Sequence, residues 1–248
     1  KNLSMVCKRL RYNTDKFHYN PVSVDEETVK LFPNTETLNT YDNKDKYLTG
    51  ARIIKYVDWL RKSCQEIEEI KKQNEGKVIE FKHIVFTKED VEEEKRKQNP
   101  NYDDSDYDEE IEYKIQIPNG VKEIDENAFG WNDDIIEIHI PETVEIIPMK
   151  CFEKCRDLTN ITIPLNETRV IIGNKIFNNQ PHFNQSFYLP SNIKVINGKE
   201  VDGSTITIPS FVTSLDENCF YGCFVTLKEL HIPESVKTIP MKCFLKCQ

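Results

Sequence analysis

The apolar residues in the second half of the chain fall into one short pattern, Ile-x-Ile-Pro. It stands at Ile115-Gln116-Ile117-Pro118, Ile138-His139-Ile140-Pro141, Ile161-Thr162-Ile163-Pro164 and Ile206-Thr207-Ile208-Pro209. Variants occupy Phe187-Tyr188-Leu189-Pro190 and Leu230-His231-Ile232-Pro233. Such alternation predicts a short strand with both apolar residues inward and the middle one outward. Proline has no N–H to donate, so it suits the end of a strand and not its interior. The six prolines are spaced by 23, 23, 26, 19 and 24 residues, which together make five periods of 23. A phenylalanine follows most of them at a fixed offset, as Phe129, Phe152, Phe220 and Phe244, with Phe177 displaced by two. Val-x-x-Ile steps lie between, as at Val121 to Ile124, Val144 to Ile147 and Val236 to Ile239. A unit this short cannot bury its own apolar face, so neighbours must stack and share one core. The expected fold class for 113–248 is a curved solenoid with a parallel β-sheet on its concave face and a 23-residue period, preceded by an α+β N-terminal region.

The full template, Leu-x-x-Ile-x-Ile-Pro-x-x-Val-x-x-Ile-x-x-x-x-Phe-x-x-Cys, is seen with one variation from Leu227 to Cys247. It resembles the repeats of the BspA-like (treponemal-class) leucine-rich repeat family, over about six units from 113 to 248, cut short at the C-terminus. That resemblance implies an interaction surface and no enzymatic activity. "LFPNTETLNTY", Leu31 to Tyr41, is similar to the N-terminal region typical of the family's amoebic-parasite members, and looks like a degenerate repeat. Residues 1–98 are therefore expected to cap the solenoid, since an uncovered outermost unit would expose apolar core.

Within that region "SMVCKRLRYNTDKF" reads as a short amphipathic helix, and it also resembles the later part of an F-box, the module that docks proteins onto a ubiquitin-ligase scaffold. From Ala51 to Asn74, Ile53, Val57, Leu60, Cys64, Ile67 and Ile70 fit a helix of period 3.6. The family comparison instead suggests a strand near "IKYVDW" and a helix only from Ser63. "KVIEFKHIVFT" predicts a strand, and "TKEDVEEEKRKQ" a solvated helix capped by Thr87. "NPNYDDSDYDEE" opens the 99–112 segment, read as an acidic linker because its acids have nothing apolar to bury. Ser105 among them would suit an acid-directed kinase, but the glycine and spaced glutamate of a calcium loop are absent.

Candidate chemistry rests first on the cysteines. Cys7 and Cys64 stand alone, while Cys151/Cys155, Cys219/Cys223 and Cys243/Cys247 form Cys-x-x-x-Cys pairs that invite a zinc or disulfide reading. The first repeat supplies a control. It carries Ala128 where later repeats carry Cys151, Cys219 and Cys243, and Asn132 where they carry Cys155, Cys223 and Cys247. A position that accepts Ala, and one that accepts Asn, want a small buried residue and a small hydrogen-bonding one, which free Cys supplies. The pairs are therefore expected to be structural, with only the stacked Cys219/Cys243 and Cys223/Cys247 open to oxidation. His139 and His231 sit four repeats apart, too far to share a metal, and no phosphate loop, His-Glu-x-x-His or nucleophile elbow occurs. No cofactor is expected.

What remains is the outward ladder of the strands, Gln116, His139, Thr162, Tyr188, Thr207 and His231, as the candidate partner-binding face. The irregular "VINGKEVDGST", Val195 to Thr205, is a second candidate. Composition narrows the partners. With a net charge of −9 and 30% charged residues, nucleic acid and anionic membranes are disfavoured, and no apolar run reaches the length of a transmembrane helix. The expected function is a non-catalytic protein-binding module. An F-box-like substrate adaptor and a cell-surface adhesion protein are the alternatives, the sequons at Asn2, Asn160, Asn166 and Asn184 fitting the latter. The expected location is the cytoplasm, with the cell surface as the alternative.

Overall fold

The computed structural model of the chain describes residues 16–45, 47–48, 52–100, 111–164, 169–172, 175–178, 182–183, 185–187, 189–190, 193–201, 205–217, 220 and 228–245; for 169–187 and 205–206 it describes the backbone alone. The F-box-like stretch up to residue 15, the acidic run 101–110 with Ser105, Asn2, Asn166, Asn184, Tyr188, Cys7, Cys219, Cys223 and Cys247 lie outside the described residues. Contacts divide the chain into Lys1–Val85 and Phe86–Gln248.

In the first region a 3-10 turn (Thr28–Leu31) leads to β1 (Thr37–Thr40), then β2 (Lys55–Ser63), α1 (Cys64–Gln73) and β3 (Ile79–Phe86), whose last residue belongs to the second region. The strands pair in parallel, with Leu38 beside Tyr56 and Tyr56 beside Ile79. Leu38 and Tyr56 form a core with Val24 and Leu48, against which Ile79 packs. Residues 51–74 thus follow the strand-then-helix reading and not a single helix. The break is a capping box at Ser63: its Oγ accepts from the Glu66 N–H at 3.1 Å, and the Glu66 carboxylate accepts from the Ser63 N–H at 2.7 Å.

The second region opens with α2 (Lys88–Gln98), capped by Thr87 and Asp90 in the same way. Its charged sequence predicted a solvated helix; instead Asp90, Val91, Glu92 and Lys95 are buried. The difference has a physical cause, because Lys95 finds polar partners under the helix. Its Nζ donates to Asn132 Oδ1 at 2.6 Å, lies 2.9 Å from both carboxylate oxygens of Asp134, and sits 5.5 Å from the Tyr113 ring centre.

Then come β4 (Tyr113–Gln116), β5 (Val121–Ile124), β6 (Ile135–His139) and β7 (Asn160–Thr162). β4, β6 and β7 pair in parallel, so that Ile115, Ile138 and Ile161 stand side by side and are wholly buried. After β4 and β6 the proline carbonyl turns the chain by accepting from the N–H three residues on. The bond recurs at Pro118, Pro141, Pro190, Pro209 and Pro233, at 3.1 to 3.4 Å. Side chains bond across neighbouring repeats at a separation of 23, as in Lys122 Nζ to Glu145 Oε1 at 2.7 Å and Thr159 Oγ1 to the Ile136 carbonyl at 3.5 Å. Rings stack from Phe86 to Phe129 (5.9 Å) to Phe152 (5.5 Å), and again between Phe220 and Phe244 (5.2 Å).

The repetition breaks after β7. β8 (Arg169–Ile172), β9 (Lys175–Asn178) and β11 (Gln185–Phe187) make a separate antiparallel sheet, with β10 (His182–Phe183) between them in sequence. The strand expected at 187–190 is therefore not the next rung of the parallel sheet. That rung is β12 (Val195–Ile196), which pairs in parallel with β7 and turns through Asn197 and Gly198, at φ 51° and 72°, into the antiparallel β13 (Lys199–Glu200). Consecutive positive φ at Asn-Gly is the geometry of a type I′ hairpin turn. The sheet order is β13-β12-β7-β6-β4. β14 (Thr205–Thr207) pairs instead with β16 (Glu229–His231) in a two-stranded parallel sheet, and β15 (Ser214–Leu215) with β10.

Three side-chain amides act on strands as surrogate backbone, each matching both the N–H and the C=O of one residue. Asn20 does so for Asn39 (2.6 and 2.8 Å), Gln98 for Lys114 (3.2 and 2.9 Å) and Asn197 for Ile163 (2.7 and 3.1 Å). An amide carries one acceptor and a donor pair, so it can satisfy both groups of a strand that has no neighbour there.

Candidate interaction surface

Parallel register fixes which side chains share the sheet's outer face. Gln116, His139 and Thr162 are consecutive register partners, and so are Lys114, Glu137 and Asn160. Their backbones are held by buried Ile on either side, so the outward side chains stand on a stiff frame. Gln116 and His139 are exposed and Thr162 is half-buried. Lys114 Nζ pairs with Glu137 Oε2 at 3.2 Å, which balances charge across this face. Thr207 and His231 are also register partners and exposed, but they belong to the β14–β16 sheet. His231 Nε2 lies 3.3 Å from Glu229 Oε1. The ladder is thus divided into two patches, and Tyr188 lies outside the described residues.

The repeat positions are interior. Ala128, Cys151 and Cys243 are buried, as are Phe129, Phe152 and Phe220, while Phe244 is half-buried; for Phe177 the backbone alone is described. Asn132 and Cys155 occupy the second small-residue position. Asn132 Nδ2 donates to the Phe129 carbonyl at 3.2 Å, and Cys155 Sγ donates to that same carbonyl at 2.9 Å. Burial drives the Cys155 thiol up to about 12 and the Cys151 thiol well above its ordinary value. Thiols so protonated are poor nucleophiles and poor metal ligands. Cys64, Cys151, Cys155 and Cys243 form no disulfide, and among the described residues no three His, Cys, Asp or Glu side chains gather as a metal site.

Sequence reasoning missed two polar features. Trp131 is exposed with φ 66°, and Lys154 Nζ sits 3.1 Å from its ring centre, a cation–π contact between adjacent repeats. In the first region Trp59 lies in the β2 bulge, half-exposed, its indole N–H donating to Asn39 Oδ1 at 3.1 Å. Neither has a signal in the repeat pattern, since Trp131 falls at a position where the template is silent and Trp59 precedes the repeats.

The profile of the BspA type leucine rich repeat region, in six copies, matches residues 107–204 and 170–248. The chain belongs to the BspA type leucine-rich repeat family. Proteins built of these repeats are generally non-catalytic and act in protein interaction or surface adhesion. No curated protein sequence matches this BspA type chain. Among solved structures it is similar to a leucine-rich repeat protein of Eubacterium ventriosum, at 14% identity over 95% of this chain and 52% of that one, with TM-score 0.32. It is also similar to the pneumococcal vaccine antigen PcpA (15%; 81% and 45%; 0.34) and to a leucine rich cell surface protein of Faecalibacterium prausnitzii (14%; 87% and 72%; 0.23). The chain spans about half the length of the first two. Among the described residues no helix is long and apolar enough to cross a membrane.

Proposed function

We propose that the chain is a non-catalytic protein-binding module whose partner docks on the outward ladder of the parallel sheets, through Gln116, His139 and Thr162 on one patch and Thr207 and His231 on the other, with Tyr188 assigned to the same ladder by sequence alone. The observation that carries this reading is the register of β4, β6 and β7, which lines polar side chains on a frame of buried Ile. Rigid residues lose little conformational freedom on binding, so such a face favours association. With this reading go a solenoid of 23-residue repeats over 113–248, a capping role for 1–98, an exposed linker at 99–112, structural filling by the cysteines, and a cytoplasmic setting. Capture of partners from lysate by the full chain, followed by titration of the captured protein, tests it. Gln116→Ala with His139→Ala should weaken binding about tenfold without moving the melting temperature. Unchanged affinity moves the site off the ladder.

A further inference from the structure

Asn-Gly occurs twice in the chain, at Asn119-Gly120 and Asn197-Gly198. The pair is a reactive setting for asparagine, because glycine lacks the Cβ that would shield its backbone nitrogen from the preceding side-chain amide. Both pairs lie in turns, but the two amides are held differently. The Asn119 side chain is exposed, in the turn that the Val121 N–H closes onto the Pro118 carbonyl at 3.4 Å. Asn197 is half-buried, and its amide is latched at both ends: Oδ1 accepts from the Ile163 N–H at 2.7 Å, and Nδ2 donates to the Ile163 carbonyl at 3.1 Å. Its own N–H donates to the Ile161 carbonyl at 3.0 Å, so Asn197 holds β7 on both sides of Thr162. Gly198 is exposed, and among the described residues no atom beyond its chain neighbours lies within 4 Å of where a Cβ would stand. Solvent therefore reaches the nitrogen that would react.

We propose that Asn197 is a self-modification site, losing its amide through a succinimide, and that the latch to Ile163 both restrains this reaction and is destroyed by it. When the hairpin opens, the Gly198 nitrogen gives up its proton to solvent base and attacks Cγ of Asn197. A bond forms between that nitrogen and Cγ, the Cγ–Nδ2 bond breaks, and Nδ2 takes up a proton and leaves as ammonia. Water then opens the ring. Attack at Cγ gives aspartate, and attack at the main-chain carbonyl carbon gives isoaspartate, whose backbone is longer by a methylene. Neither product relatches. Aspartate sets a carboxylate oxygen against the Ile163 carbonyl where Nδ2 donated, acceptor against acceptor. Isoaspartate lengthens a turn whose two residues, at φ 51° and 72°, fit a type I′ hairpin and nothing longer. In the closed hairpin the first step is slow, since attack makes the planar amide carbon tetrahedral while both hydrogen bonds hold it flat. The conversion is one-way: opening admits the reaction, and the reaction leaves the Ile163 carbonyl without its donor.

Ageing of the full chain at mildly alkaline pH tests the proposal, with amide loss at each asparagine read by peptide mass mapping and isoaspartate by enzymatic methylation. On unfolding in urea the rate at Asn197 should rise about tenfold more than the rate at Asn119, as expected from releasing two hydrogen bonds of ordinary strength. Asn119 corrects for the effect of urea on the chemistry itself. The installed product, Asn197→Asp, should speed amide exchange at Ile163 about tenfold. Exchange at Ile117, bonded to the His139 carbonyl on the far side of the sheet, should stay unchanged. The urea comparison uses the wild type alone, so it stands whether or not that variant folds. A rise at Asn197 no greater than that at Asn119 means that the latch restrains nothing, and unaltered exchange at Ile163 in Asn197→Asp means that the product relatches; either result overturns the proposal.

Discussion

Cys155 shows how little a recurrent residue type says until its neighbours are known. Its thiol is buried and bonded to the Phe129 carbonyl, in the position that Asn132 fills one repeat earlier. Burial holds the folded thiol at about 12 against an ordinary 9.0, so the folded state keeps its proton where the unfolded chain has begun to lose it. Stability from this group is therefore complete below pH 9 and is lost as pH rises from there through about 12. The urea midpoint of the wild type should fall across that range more steeply than that of Cys155→Ala, which lacks the titrating group. Equal slopes would mean that the thiol is solvated. The sequence comparison of Cys155 with Asn132 exposed the type of residue wanted, small and hydrogen-bonding, but not the carbonyl that wants it.

At the scale of elements, α2 is where charge patterning misled. Lys, Glu and Asp along a helix usually mark a wet surface, yet Lys95 runs inward to Asn132 and Asp134. No single residue of the helix signals this, because the partners lie in the first repeat and reach Lys95 only after folding. Lys95→Ala would strand Asp134 and Asn132 beneath the helix. Breaking a buried ion pair costs roughly 3–5 kcal/mol; Asp134 keeps some solvent, so a loss of about 2 kcal/mol is expected, read from the unfolding midpoint. Val91 and Phe86 amide exchange should quicken with it, whereas a merely exposed lysine would change neither. The strands were legible for the opposite reason. Ile115, Ile138 and Ile161 are placed by a period that needs no partner to be recognised. β2 and α1 were ambiguous because their apolar residues satisfy a helical spacing throughout, and the Ser63-x-x-Glu66 box was the local mark that separates them.

Over the whole molecule, the sequence period suggests one continuous ladder, whereas Asn197 and Gly198 end the first sheet. The hairpin they form puts β13 on the edge that β14 would otherwise take, and among the described residues β14 pairs with β16 alone. A strand flanked on both sides opens only when its neighbours open, while an edge strand in a two-stranded sheet does not wait for others. Hydrogen exchange should therefore separate the patches: the amides of Ile138 and Ile161 should exchange together and slowest, and that of Ile208, bonded to the His231 carbonyl in the two-stranded sheet, faster. Asn197→Ala tests what maintains the division. It places a Cβ without compensating hydrogen bonds at φ 51° and removes both contacts to Ile163. A cost of about 2 kcal/mol follows from the left-handed backbone and the lost bonds together. Asn197→Gly keeps the turn and loses only the bonds, so it should cost about half as much, and faster exchange at Ile163 in both variants would tie the amide to the end of the sheet.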